Sequence, residues 1–414
     1  MCLTSVGKEN LRQTLQPDGS LDRAEAVGVR FDKGRSEFVF PNANRATRLR
    51  RMLRRAQALK LHATISATNF FRHAVCGRDL FRPVYAIYEL TYACNLNCSY
   101  CDDGTGSTYR QRAAGAHPLP LGDILRLLRR LRREVPGIYL SGGEPTVHPD
   151  FIEILREVDR LGFLPVMLST NGLRLPAILE QDPELFQRVD LLFLSLDSRR
   201  PRTLGRLFRS SPREGMGVLE AFELCLDVAV PSGCSLVVCC VVTRDTIADA
   251  AEVARLCRER DILFAPVPVN RGKGLRESFA ASTEYKALVA EILGPNGPRL
   301  VGDSEIFRLL MQFLPFQCHP TVRIHVTPEG CIPWPCQSDA RFALPLLDYA
   351  SVSSLLRAAE ARYSVEQQGE RCGSACYLAQ NVSTHLYATR PLALTRNVVV
   401  DFILRLNRSA KLHT

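Results

Sequence analysis

Tryptophan occurs once in this 414-residue chain and methionine five times, and aromatic residues make up only 7% of it. Basic residues interleaved with aromatics, the pattern of a single-strand nucleic-acid groove, are therefore not found, and no nucleic-acid partner is expected. No apolar run approaches the eighteen or more uncharged residues of a membrane-spanning helix. The first residues, MCLTSVGKENLRQTLQPDGS, lack the apolar stretch of a secretory signal, so a cytoplasmic location is expected. Acid is short as well. Fifty-three Lys and Arg face forty-three Asp and Glu, a net charge of +10 that favours an anionic partner or surface.

Cysteine is abundant by contrast, with fifteen residues. Without export a disulfide framework is improbable, and metal binding becomes the leading use of clustered thiols. Cys94, Cys98 and Cys101 form one group. Cys318, Cys331, Cys336, Cys372 and Cys376 form another. Cys225, Cys234, Cys239, Cys240 and Cys257 fall in strand or helix patterns without ligand spacing and read as small buried apolar residues.

Residues 1–44 read as a weakly ordered arm with one short strand at 37–40. Residues 45–82 read as a basic helical segment. Seven of the residues 45–60 are basic and none is acidic, and Leu49, Met52, Leu53 and Ala56 recur at helical spacing. The pattern predicts either a solvated helix packed on the main domain or a peripheral contact with a membrane surface. Residues 61–75 predict a second helical stretch.

From 83 to 270 strands alternate with helices: strands at 84–91, 138–141, 164–170, 191–196, 234–242 and 262–269, with helices between them. Such alternation implies an α/β fold with parallel strands. Six strands are too few for a complete eight-fold barrel, so the expected fold is a partial (β/α)6 TIM-like barrel. Residues 271–314 read as a helical connection, 315–378 as a small Cys-rich module with a strand at 321–326, and 379–414 as a tail with one apolar-rich helix at 394–406.

The three close cysteines stand in TYACNLNCSYC, directly after the first strand, where parallel barrels build their active sites. Three thiolates within eight residues can converge on one soft metal centre. An iron–sulfur cluster normally takes four cysteines, so three leave a position open for substrate or cofactor. A zinc site completed by a distant fourth ligand is the plainer alternative by spacing alone.

CNLNCSYC resembles the signature of the radical S-adenosylmethionine superfamily, and further strand ends match it in order. SGGEP at 141–145 resembles the Gly-Gly-Glu-Pro element of that family. The resemblance implies that Gly142 and Gly143 let a ligand approach the backbone, that Glu144 accepts from the cofactor's ammonium group, and that Pro145 shapes the loop. STNG at 169–172 and SLDS at 195–198 end the third and fourth strands. By resemblance Asn171 and Ser195 line the cofactor pocket, with Asp197 a lesser candidate, and Tyr100 and Val267 lie beside the adenine. Thr243 and Arg244 end the fifth strand with a weaker claim. The resemblance spans residues 84–270.

The second cysteine group resembles the auxiliary-cluster modules called SPASM and twitch. Pro328-Glu329-Gly330 matches their turn and Pro335-Cys336 their close. Five cysteines fit one auxiliary cluster, with Cys318, Cys336, Cys372 and Cys376 as ligands and Cys331 as the rival to Cys336. A zinc site stabilising a small module is the alternative.

The resemblance implies an enzyme with a [4Fe-4S] cluster on Cys94, Cys98 and Cys101, S-adenosylmethionine as second cofactor, and an auxiliary [4Fe-4S] cluster. It would abstract hydrogen from an unactivated carbon of a small-molecule, lipid or peptide substrate, with an electron donor such as flavodoxin or ferredoxin. The basic helix and the tail tilt the reading toward a lipid or isoprenoid. Lids over the cavity are expected from the N-terminal helices and the C-terminal module. The rival from another class is a non-catalytic zinc or iron–sulfur protein.

Overall fold

The computed structural model describes residues 45–77, 80–101, 109–269, 280–366 and 376–390. The arm at 1–44, the loop at 271–274, Cys372 and the tail helix at 394–406 lie outside them.

Seven strands form one parallel sheet: β1 (Tyr85–Glu89), β2 (Gly137–Ser141), β3 (Val166–Thr170), β4 (Leu191–Ser195), β5 (Ser235–Val242), β6 (Leu263–Pro268) and β7 (Arg323–Val326). Their spatial order is β6-β5-β4-β3-β2-β1-β7, so the sheet is an open, partial barrel. Chain order and spatial order agree through β6 because each strand returns over a helix to its neighbour, the right-handed crossover that parallel strands require. The helix Phe151–Leu161 illustrates the local logic. Phe151, Ile154, Leu155 and Val158 lie on one face and are buried, and Gly162 ends the helix at φ 70 in the left-handed region.

The seventh strand changes the reading of the C-terminal region. Arg323–Val326 was expected within a separate Cys-rich module. Instead it pairs in parallel with β1, Tyr85 beside Arg323 and Tyr88 beside Val326. An unpaired β1 edge would leave a row of backbone donors and acceptors open, and β7 satisfies them. Only β8 (Cys331–Trp334) and β9 (Phe342–Pro345) form a hairpin of their own. The open side beyond β6 is filled by the helices Ser304–Met311 and Ala379–Thr389. Their Phe307, Leu310 and Val382 pack against Val237 and Ala265 of β5 and β6.

The N-terminal helical segment differs from expectation in three ways. It is one continuous helix, α1 (Arg45–Cys76), rather than two stretches. It lies under the barrel floor, at the N-terminal ends of the strands, and so forms no lid over their C-terminal ends. Leu61 and Ile65 pack against Phe81, Val84 and Tyr85 at the start of β1 and against Val322 just before β7. Its faces are also reversed. The arginines are docked: the Arg51 Nε lies 2.7 Å from Asp159, and Arg55 pairs with Asp190, which also takes the Val166 amide at 2.7 Å. Leu49 and Leu53 are each 57% exposed. The acids at the floor decide the orientation. Asp190 is buried at a strand start and needs a cation, so the arginine face turns inward. No described helix is long and apolar enough to cross a membrane.

Candidate active site

The loop after β1 carries Cys94, Cys98 and Cys101 over the C-terminal ends of β2, β3 and β4. Backbone bonds hold it on both sides. Asn97 and Ser99 donate to the carbonyls of Phe208 and Leu207, at 3.3 and 2.7 Å. On the other side Gly143 and Glu144 donate to Thr91 and Ala93, at 2.8 and 2.9 Å.

These last bonds explain the paired glycines. A Cβ on Gly142 would lie 2.3 Å from the Thr91 carbonyl oxygen, and one on Gly143 only 2.4 Å from that of Ala93. Gly142 also has φ +133, where side-chain-bearing residues are rarely found. The sequence reading had the glycines admit a ligand. In the structure the cysteine loop packs against them, and both also line the cleft.

Glu144 is buried and ties two strand ends together. Its Oε1 accepts from the Thr146 amide at 3.1 Å and the Thr170 hydroxyl at 2.8 Å, and also from the Thr146 hydroxyl. Its Oε2 accepts from the Asn171 amide at 2.7 Å. Burial raises the carboxyl above its ordinary pKa, and the donors pull it part of the way back. A ligand's ammonium group reaching Glu144 would therefore share a carboxylate that four donors already use.

Asn171 bridges loops in the same way. Its Nδ2 donates to Asn95 Oδ1 at 2.7 Å, and its Oδ1 accepts from the Leu173 amide at 3.1 Å. Asp197, the lesser candidate, proves central. It is fully buried, accepts from the Val241 amide at 2.7 Å, and takes the hydroxyl of Tyr100. Desolvation raises its carboxyl to about 6. Tyr100 thus anchors the cysteine loop to the end of β4. Burial also raises the Cys94 thiol to about 11 and the Cys98 thiol further, with Asp197 adding to the latter. Thiols held protonated this way give up protons when a metal binds.

One open cleft of ≈ 150 Å³ gathers most of the expected residues. Cys94, Cys98, Cys101, Tyr100, Gly142, Gly143, Glu144, Pro145, Asn171 and Ser195 all line it. Val267 does not: it lies in β6, beyond the strands whose ends form the cleft. Leu96 and Phe208 supply apolar wall. The donor set, three thiols within electrostatic reach of one another on one loop, fits a thiolate-held centre. Among the described residues no three His, Cys, Asp or Glu side chains are gathered tightly enough to hold a single metal ion.

Behind the cleft stands an acid that the sequence reading passed over. Glu89 ends β1 with 1% exposure. It accepts from the hydroxyl of Tyr109, a cleft residue, at 3.0 Å and from Gln337 Nε2 at 2.8 Å. The available signal was a lone acid closing the apolar run VYAIYELT.

Gln337 leads to the second cysteine group. Cys336 and Cys376 each lie within electrostatic reach of Cys318, and burial raises the Cys318 thiol to about 12. Asn381 donates to the Cys376 sulfur at 2.9 Å, and Thr384 to that of Cys318 at 3.7 Å. Cys331 sits elsewhere, at the start of β8, and its electrostatic neighbours are Glu329 and Asp348. The geometry therefore puts Cys336 rather than Cys331 beside Cys318. Cys372 lies outside the described residues.

Residues 88–257 match the family model for the Radical SAM superfamily. The chain is 34% identical over 155 residues to a GTP 3',8-cyclase of Haemophilus ducreyi, covering 35% of this chain and 43% of that protein. It is 25% identical over 236 residues to the mycofactocin maturase MftC of Mycobacterium tuberculosis, covering 56% of this chain and 57% of the relative. The chain thus spans about half the length of these two relatives. Among solved structures, native anSMEcpe with bound AdoMet aligns over 78% of this chain and 99% of its own, with a TM-score of 0.50 and 17% identity, a likeness of fold. The family match begins within β1 and ends in the helix before β6, the stretch whose strand ends and connecting loops build the cleft, and that stretch is similar to the radical SAM superfamily.

Proposed function

We propose that this protein is a radical SAM enzyme that removes a hydrogen atom from an unactivated carbon of its substrate. The observation that carries this reading is the meeting of three loop thiols with the polar ends of β2, β3 and β4 in one cleft. Cys94, Cys98 and Cys101 would hold a [4Fe-4S] cluster, and the loop 141–145, Asn171 and Ser195 would hold S-adenosylmethionine. When bound, the two together would supply reductive cleavage of a carbon–sulfur bond and a 5′-deoxyadenosyl radical. Tyr100, Asp197 and the Gly142-Gly143 pair fix the thiol loop, so the ligand set is ordered before the cofactors arrive. Leu96 and Phe208 limit water at the wall. Cys318, Cys336 and Cys376 would hold an auxiliary cluster with Cys372, and an external donor such as flavodoxin or ferredoxin would supply electrons.

For the substrate we favour a peptide over a lipid or isoprenoid. The exposed apolar face of α1 and the thiols lie at opposite ends of the strands, so that face does not lead a lipid into the cleft.

The test is anaerobic reconstitution followed by iron analysis and assay of S-adenosylmethionine cleavage under dithionite. A brown protein with about eight irons, as two four-iron clusters require, that releases 5′-deoxyadenosine is expected. A colourless zinc-loaded protein that keeps its fold and leaves S-adenosylmethionine intact would overturn the reading in favour of the non-catalytic alternative. A deuterium-labelled peptide or isoprenoid that passes its label to 5′-deoxyadenosine identifies the substrate class.

A further inference from the structure

The outward face of α1 is the surface the proposed reaction leaves unexplained. Leu49, Met52 and Leu53 near its start and Phe70, Phe71 and Val75 near its end are exposed, the last three at 48%, 58% and 66%. Ala56, Ala63, Ala67 and Ala74 continue the same face between and beside them, also exposed. From residue 49 to 75 this stripe runs about 39 Å at the helical rise of 1.5 Å per residue. Among the described side chains Lys60 is the one charge it carries. Proteins that remain monomeric in water rarely expose an apolar strip of this length.

We propose that this face of α1 lies in the interfacial plane of an anionic membrane, with the barrel floor toward the lipid and the cleft toward water. Charge selects the occupant. The helix holds eight Lys and Arg and no Asp or Glu, and with Asp159 and Asp190 of the floor set against two of them six remain in excess. A second copy of α1 would set one basic helix against another. The chain's own tail, residues 391–414, has four Lys and Arg against one Asp and is no better matched. An anionic headgroup layer complements both segments. Helices that lie on membranes bury Leu and Phe into the acyl boundary while the opposite face stays polar. Here the opposite face is polar because its arginines bond the floor acids Asp159 and Asp190. The helix is thus held by the barrel through charge and offers its apolar side outward. The surface is defined by α1 alone and stands whether or not the proposed chemistry does.

The test is flotation of the full chain with vesicles of equal phosphatidylglycerol and phosphatidylcholine, compared with phosphatidylcholine alone. Flotation on the anionic vesicles is expected, with at least tenfold loss in the variant Leu49→Ser/Leu53→Ser/Phe70→Ser/Phe71→Ser at an unchanged melting temperature. These four side chains lie far from the cleft, so iron loading should match the parent. Three results would overturn the proposal. The intact chain stays at the bottom of the gradient. Or the quadruple variant floats as well as the parent, which leaves only general electrostatic attraction. Or light scattering finds a dimer that the same variant dissociates, which makes a second copy the occupant. Removing residues 391–414 should leave flotation in place. If only the truncated chain floats, the tail covers the face and the proposal fails.

Discussion

Gly143→Ala offers the sharpest test of how the thiol loop is held. The new methyl would lie 2.4 Å from the Ala93 carbonyl oxygen and 2.5 Å from that of Tyr92. Both are backbone atoms and cannot swing aside as a side chain can. The loop must retreat by roughly 0.5–1 Å to restore an ordinary contact, which strains the bonds from Gly143 and Glu144 to Thr91 and Ala93. Overpacking of this kind costs about 1–3 kcal/mol. For a domain of this size each kcal/mol lowers the melting temperature by roughly 2–4 °C. The same shift moves Cys94, which follows Ala93 directly, and a misplacement near 1 Å can cost about 100-fold in rate. Thermal melting and iron retention after reconstitution should therefore fall together. Gly115→Ala is the control, because a Cβ there meets nothing within 4 Å. If Gly143→Ala melts and loads iron like the parent, the close approach does not hold the loop.

Other substitutions probe the remaining contacts. Asp197 has its pKa raised by burial, so the folded state holds a proton that the unfolded chain releases at lower pH. Its contribution to stability falls as pH climbs from near 4 through about 6 and stays low above that. Two pKa units correspond to roughly 3 kcal/mol, and Asp197→Asn should flatten this part of the curve in urea titrations at pH 4, 5, 6 and 7. Arg55→Leu removes the guanidinium paired with the buried Asp190 and should cost about 3–5 kcal/mol in urea unfolding. Cys336→Ser should lower the iron content by about four atoms while Cys331→Ser leaves it unchanged, and equal losses would contradict the placement of Cys331 away from Cys318. Glu144→Gln turns an amide N–H₂ toward hydroxyl and amide donors and should destabilise the chain by about 1–3 kcal/mol, read by thermal melting.

The alternation of apolar strands and amphipathic helices determined the parallel sheet, because each period reflects which face is buried within a few residues. The thiol loop was legible for the same reason: three cysteines in CNLNCSYC and the strand before them are local in sequence. Partners distant in sequence were not. Glu89 reads as an odd acid in a strand until Gln337, 248 residues on, is folded against it. Asp197 reads as a lesser polar residue until Tyr100 reaches it across the cleft. The seventh strand was visible as a strand, but only the open edge of β1 could tell it where to pair. In α1 the residue pattern determined an amphipathic helix and left its direction undetermined. Hydrophobic periodicity predicts the leucines inward, yet acids carried by other elements, Asp159 and Asp190, drew the arginines in. Periodicity records that a helix has two faces. Which one is buried depends on what the rest of the chain places opposite, and that is decided in three dimensions.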